Sequence, residues 1–359
     1  MKTVARPGRK VLTGMKEFRR FLQQKRSELA STPILLIDSF STGDSSTELL
    51  KHVELYCSAV GLRTATTHPS SGHFPFAKDM VDTIELARRT GAGTVIGVGA
   101  SGAVELAKAV AQEKSEIEHL ILVPEDYGST LFASTSHGLI LDPKESALLP
   151  AQTKSLRDVA SHIVLSDLSN PSKNDPEILK ATIYTGLVLA LDELYRGCND
   201  EDEIMRNIHL ASDLIDKSNN SEGLAREDSR KLLHLMVNSG SAISFGLATN
   251  KACTIRSVPL ALSTSLLTTA FPDYDFFGFT SCFLPGLLSV LEGTKHNCLA
   301  MELSSRFIYR CPRISKSSGD DLDLQTLMSL VHSNMDLWGC DDVEDDTLKQ
   351  VLRTSLDLQ

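Results

Sequence analysis

Up to about residue 150, short apolar runs alternate with stretches of helical spacing. "PILLIDSF" (33–40), "RTATT" (63–67), "TVIGVG" (94–99) and "HLILVP" (119–124) have strand length and polar, Gly or Pro boundaries. Between them, 46–60, 77–91 and 102–113 place apolar residues three and four apart, the spacing of a helix with one buried side. Strand and helix in alternation predict a parallel sheet covered on both faces, a doubly wound, Rossmann-like α/β domain over 1–150. "LDPKESALLPAQ" (141–152), with two prolines, reads as a linker. Beyond it the strand pattern fades, and helices are predicted over 153–165, 176–195, 201–218, 222–246, 257–270, 279–293, 297–310 and 322–337. The second domain, 151–359, is therefore expected to be all-α. Its acidic tail (339–359) should begin as a solvated charge run and end in a short helix. No internal repeat is visible.

A chain of 359 residues exceeds what one core ordinarily organises, which agrees with two domains. With 46 acids against 36 bases and a net charge of −10, the surface does not suit nucleic acid or an anionic membrane. The first 31 residues depart from this, with nine Lys or Arg against Glu17 and Glu28. An organelle-import leader has such a composition. The favoured reading is an amphipathic helix with Phe18, Phe21 and Leu22 on its inner side, which leaves the cytoplasm as the expected location and the mitochondrion as the alternative. No apolar run approaches the length of a membrane helix. Seven scattered cysteines without C-x-x-C spacing fit reduced packing residues better than disulfides or a zinc site.

Gly97, Gly99 and Gly102 follow a Val/Ile strand and precede "AVELAKAVA". At such a turn the backbone can approach a diphosphate, and the helix N-terminus offers it unpaired N–H groups. The alternative is that the glycines only permit close packing of helix on strand. The spacing matches G-x-G-x-x-G, but the motif falls late in the sheet and has no acid at a strand end about 20 residues on.

"VIGVGASGAVELAKAVA" resembles the G-G-G-S-x-x-D-x-A-K-x-(I/V)-A segment of the iron-containing alcohol dehydrogenase and glycerol dehydrogenase family, related to dehydroquinate synthase. Gly99, Ala100, Ser101 and Gly102 match its turn, Glu105 its Asp and Lys108 its Lys. Further matches are Gly14 before the first helix, Asp38 in "ILLIDSF", "LARRTGAGTVIGVG" and "LILDPKESALLP". The resemblance can be followed from residue 11 to about 293, and it implies a dehydroquinate synthase-like fold. It also implies NAD or NADP as cofactor, held by Asp38, Gly97, Gly99, Ala100, Ser101, Gly102 and Lys108. Asp38 favours NAD, because a 2′-phosphate would meet its carboxylate.

In that family one Asp and three His bind a divalent metal that polarises the substrate oxygen while the nicotinamide exchanges a hydride. "DVASHIVL" places Asp158 on the metal Asp and His162 four residues later, on one face if the segment is helical. The alternative is a surface Asp paired with a half-buried His. At the other ligand positions stand Pro259 or a neighbour, Ser263 and Phe277, and no histidine occurs between His234 and His296. Asp273, Tyr274 and Asp275 are weak substitutes, and His209, His234 and His296 have no place in the pattern. The metal site is therefore expected to be absent. Glu125 and Asp126, in "PEDYGSTLFAS", bring negative charge toward a diphosphate.

The resulting expectation is an NAD(P)-dependent oxidoreductase acting on a small alcohol or carbonyl without the metal. His162, oriented by Asp158, would be the proton donor and Lys108 would lie near the nicotinamide or phosphates; a homodimer is one assembly it allows. The competing expectation is a non-catalytic relative that keeps the fold for nucleotide or partner binding, with Phe276, Phe277 and Phe279 filling the cleft.

Overall fold

The computed structural model describes residues 10–38, 44–69, 74–114, 116–135, 138–142, 147–150, 160–165, 176–197, 200–220, 224–243, 257–267, 275–313, 324–335, 340 and 343–356. The chain forms two compact units, Met1–Glu145 with Leu149–Pro171, and Ser146–Leu148 with Ser172–Gln359.

The first unit is built on β1 (Lys10–Thr13), β2 (Ile34–Asp38), β3 (Thr64–Thr67), β4 (Thr94–Gly99), β5 (His119–Pro124) and β8 (Ala160–Leu165). They form one sheet in the order β1-β8-β5-β4-β2-β3, and every pairing is parallel. β6 (Leu139–Asp142) and β7 (Ala147–Pro150) pair separately, so the predicted linker is partly extended ladder. α1 (Met15–Gln24), the short α2 (Arg26–Leu29) and α3 (Asp44–Ala59) cover one face. Phe18, Phe21, Leu22, Val53 and Cys57 meet Ile34, Leu36, Ile96, Val98, Ile121, Val123 and Val164 there. Within the basic N-terminal stretch, α1 is thus an amphipathic helix docked by its apolar stripe. α4 (Ala77–Thr90), α5 (Ser101–Glu113) and α6 (Tyr127–Ser134) follow β3, β4 and β5. α5 lies at the centre of the other face, packed on β4, β5, α4 and α6.

The structure corrects the expectation for 153–165. Residues 160–165 are strand β8, inserted between β1 and β5, with His162 opposite Lys10 and Ile121. A run of six residues is too short for periodicity to separate strand from helix; neighbours on both edges decided it. The α/β unit therefore continues past residue 150.

Beyond β7, every described element of the second unit is a helix. α7 (Pro176–Arg196) is its axis, buried almost all round from Leu179 to Leu194, as an apolar helix in the middle of a bundle must be. Around it pack α8 (Glu201–Asn220), α9 (Arg226–Ile243), α10 (Val258–Leu267), α11 (Phe276–Ser281) and α12 (Leu284–Glu292). The helix expected over 279–293 is two helices, because Pro285 lacks the N–H that would continue the ladder. α13 (Asn297–Phe307), α14 (Leu324–Met335) and α15 (Asp345–Leu356) complete the unit. α15 is the helix expected at the end of the acidic tail: Asp345 and Asp346 open it, and it buries Leu348, Val351, Leu352 and Leu356. Inside the bundle, Asp192 and Arg196 form a fully buried ion pair at 2.9 Å. Of the described cysteines, 57, 282, 311 and 340 are buried thiols, whereas Cys298 is exposed.

Candidate functional site

β2 is followed by β3 on its outer side, and the chain then crosses back to place β4 on its inner side. The successive connections leave in opposite directions at this point, and open α/β sheets carry their ligand crevice at the carboxyl ends of such a strand pair. Asp38 ends β2, Gly99 ends β4, and Val98 lies opposite Asp38 in register.

Gly99 has φ +109°, a backbone setting that side-chain-bearing residues rarely adopt. Ala100 caps α5 from extended backbone, and Ser101 and Gly102 form the first turn. A helix leaves the N–H groups of that turn without intrahelical acceptors, and its dipole makes the place favourable to an anion. Gly97 answers to a different demand. A Cβ there would come within 2.7 Å of Ala107 Cβ and 3.0 Å of the Ala103 carbonyl oxygen, so its bareness seats α5 on the sheet. The close-packing reading of the glycine run thus holds at Gly97.

The acids around the turn differ in their situations. Asp38 is buried, with His68 Nδ1 at 3.7 Å from its Oδ2. Asp126 is engaged by its own helix, accepting from the Ser129 amide at 2.6 Å in a capping box. Glu125 donates its backbone N–H to the Gly99 carbonyl at 3.1 Å. Its Oε2 is buried and has no hydrogen-bond partner among the described residues. Burial, followed by the charges of Asp126 and Asp38, pushes its carboxyl up to about 7. The two full negative charges expected at the turn are thus one charge held by a helix cap and one group that titrates near neutrality.

Lys108 and His162 occupy other places. Lys108 is fully buried in α5, seven residues beyond Ser101, or about 10 Å along the axis. Its Nζ is 2.6 Å from Glu105 Oε1 and donates to the Phe132 carbonyl and to Thr135 Oγ1, both at 2.6 Å. Glu105 also accepts from the Leu139 amide, and Gln112 from the Gly138 amide at 2.7 Å. Glu105, Lys108 and Gln112 share one helix face, and together they satisfy backbone groups between the end of α6 and β6. Sequence reading matched Glu105 and Lys108 to a ligand-binding motif; the structure makes them the polar clamp of a buried connection.

His162 stands on the α1 face of the sheet, its ring centroid 4.3 Å from that of Phe21. It lies three residues before the end of β8, about 10 Å from the carboxyl edge. Burial pulls it down to about 4, so the ring is neutral at physiological pH. The helical face it was to share with Asp158 does not exist, and Asp158 lies outside the described residues.

In the second unit, Ser263 Oγ and Thr280 Oγ1 hydrogen-bond at 2.7 Å. Thr280 also donates to the Phe276 carbonyl at 2.8 Å, and Thr185 to the Phe277 carbonyl at 3.0 Å. Asp275 caps α11, accepting from the amides of Phe277 and Gly278. Phe276, Phe277 and Phe279 are buried. His209 and His234 are exposed, and His296 lies 3.9 Å from Glu201. Asp273 and Tyr274 lie outside the described residues. Among the described residues no three His, Cys, Asp or Glu side chains converge as a metal ion requires. Among the described residues, Ser263 and Phe277, which the resemblance sets at two metal-ligand positions, carry a hydroxyl bonded to Thr280 and an apolar ring, and neither is the imidazole a divalent transition metal would need there. Among the described residues no helix is long and apolar enough to cross a membrane.

No family model and no curated protein sequence matches the chain. Solved structures do match it over nearly their whole length. An iron-containing alcohol dehydrogenase superposes with a TM-score of 0.72 at 13% identity, covering 98% of both chains. An iron-containing alcohol dehydrogenase from Thermotoga maritima gives 0.71 at 14% identity, again over 98% of both. Maleylacetate reductase from Agrobacterium tumefaciens gives 0.70 at 13% identity, over 97% of this chain and 96% of its own. At these identities the likeness is one of architecture, and it establishes that this chain has the fold of the iron-containing alcohol dehydrogenases, a parallel α/β unit followed by a helical one.

Proposed function

We propose that this protein is an NAD(P)-dependent oxidoreductase of the iron-containing alcohol dehydrogenase type, acting on an alcohol or carbonyl substrate without the metal. The observation that carries this reading is the crevice between β2 and β4. A glycine with φ +109°, a bare first helical turn and a strand-end carboxylate stand together at the switch point of a parallel sheet. These groups fit a dinucleotide: the amides of Ser101 and Gly102 for the diphosphate, Asp38 for ribose hydroxyls. Asp38 favours NAD over NADP, since a 2′-phosphate would face its charge. When bound, the nicotinamide supplies a hydride acceptor or donor. The chain's own part at this crevice is to bind and orient. Lys108 and His162 take no catalytic role in this reading, because one is held in a buried clamp and the other lies on the far face of the sheet.

A second reading is favoured by α10 and α11, where Ser263, Thr280 and three buried phenylalanines replace a polar metal-binding set. In it the protein is a non-catalytic relative that keeps the nucleotide crevice for binding or assembly. One series of measurements separates the two: titration with NADH and NADPH, metal content of the same sample, then a carbonyl and alcohol screen. Micromolar NADH binding without stoichiometric metal and with turnover supports the oxidoreductase. Binding without turnover favours the second reading. No binding of either nucleotide up to millimolar rejects the oxidoreductase and leaves a scaffold that serves partner binding.

A further inference from the structure

Glu125 is used by neither reading. It follows Pro124, which lies opposite Gly99 in the parallel ladder, and its amide is tied to the Gly99 carbonyl. The residue therefore flanks the turn. Asp126, beside it, spends its carboxylate on the α6 cap, whereas Glu125 keeps a buried oxygen without a partner among the described residues. An ionised carboxylate there would stand unpaired near two other acids and repel a diphosphate, while a protonated one is neutral and carries an O–H donor.

Resting on the reading that the diphosphate lies at the Gly99 turn, we propose that nucleotide binding is coupled to uptake of one proton by Glu125, which donates a hydrogen bond to the ligand. The proton comes from solvent and returns there on release; no covalent bond changes. The charged groups acting on Glu125 are Asp38 at the end of β2 and Asp126 at the start of α6, and His68 is the titratable group facing Asp38. The carboxyl's titration near pH 7 places the coupling in the physiological range.

The test is calorimetric titration of the full chain with NADH between pH 6 and 8.5, in two buffers of different ionisation heat. The wild type is expected to take up about one proton per NADH at high pH, with affinity falling by up to about tenfold per pH unit above the carboxyl's midpoint. Glu125→Gln is expected to bind with no slope and to equal or exceed wild-type affinity at pH 8.5. His68→Gln should keep the wild-type slope. NADH binding that takes up no proton and does not vary with pH overturns the proposal and leaves the nucleotide reading standing. A slope that survives Glu125→Gln, or vanishes with His68→Gln, also overturns it. Failure of both wild type and Glu125→Gln to bind NADH at any pH overturns the proposal together with the reading beneath it. The wild-type proton count needs no variant, so an unstable Glu125→Gln does not spare the proposal.

Discussion

The glycine turn at the end of β4 and the α10–α11 stretch of the second unit differ in what a binding site there would have to draw on. At the turn the features are backbone ones: a positive φ at Gly99, the first turn of α5 and the strand order around β2 and β4. The small residues Gly99, Ala100, Ser101 and Gly102 provide the first two without the sequence G-G-G-S. In α10–α11 the chemistry would have to come from side chains, and Ser263 and Phe277 cannot supply an imidazole. A site built on main-chain groups asks only for small residues and a fold, whereas a metal site asks for particular donor side chains.

The sharpest test of that comparison concerns Lys108, which the motif assigns to the ligand and the structure to the core. Lys108→Ala should destabilise the first unit by about 3–5 kcal/mol, because it leaves Glu105 buried and uncompensated. Denaturant unfolding checks this. A variant of unchanged stability that has lost NADH binding would return Lys108 to the site.

His162 comes next. Burial holds it down to about 4 in the fold against the ordinary 6.5 of an imidazole, so the neutral form is favoured and its stabilisation is present above about pH 6.5. Stability should fall as pH drops from there toward 4, by an amount on the order of 3 kcal/mol for a shift of this size. His162→Phe should flatten this acid limb in melts across the range. A limb unchanged by the substitution would show that the ring is solvated and available for chemistry.

Gly97 and Gly99 separate packing from conformation within one motif. Gly97→Val places methyl groups where Ala107 and Ala103 already sit, with an expected cost of about 1–3 kcal/mol. Gly99→Val should cost about 1–3 kcal/mol through its φ, and should weaken NADH binding beyond that loss. Equal loss of binding in both variants would erase the distinction. The smallest effect is expected at Ser263→Ala, about 1 kcal/mol, since one buried hydroxyl pair is broken and Thr280 retains its carbonyl partner. Thermal unfolding and a metal assay on the same sample read it; a larger loss would mean that this hydroxyl carries more than a packing role.

Much of the architecture was legible because it is written locally. "TVIGVG" and "HLILVP" coincide with β4 and β5, and the 77–91, 102–113 and 176–195 helices stand within a residue or two, since period and breakers act within a few residues. β1 and β8 were not legible as strands. "KVLT" is four residues long, and "ASHIVL" fits a helix or a strand until partners on both edges select one. The same short run misplaced His162, whose apparent pairing with Asp158 rested on a helical period. At the candidate site the glycine turn could be named from residues alone, and Asp38 from the resemblance they carry. Glu125 could not, because its burial and its unpartnered oxygen depend on how the end of β5 sits beside Gly99.

What the sequence determined by itself was the alternation of strand and helix from β2 to β5, the presence of an α/β and a helical part, and the absence of histidines between 234 and 296. These follow from local propensity, periodicity and composition, which need no third dimension. The tertiary structure alone decided that Lys108 clamps a core connection, that His162 lies on the α1 face of the sheet, and that Glu125 flanks the turn. A side chain's role depends on which groups surround it, and those groups come from segments that only folding brings together.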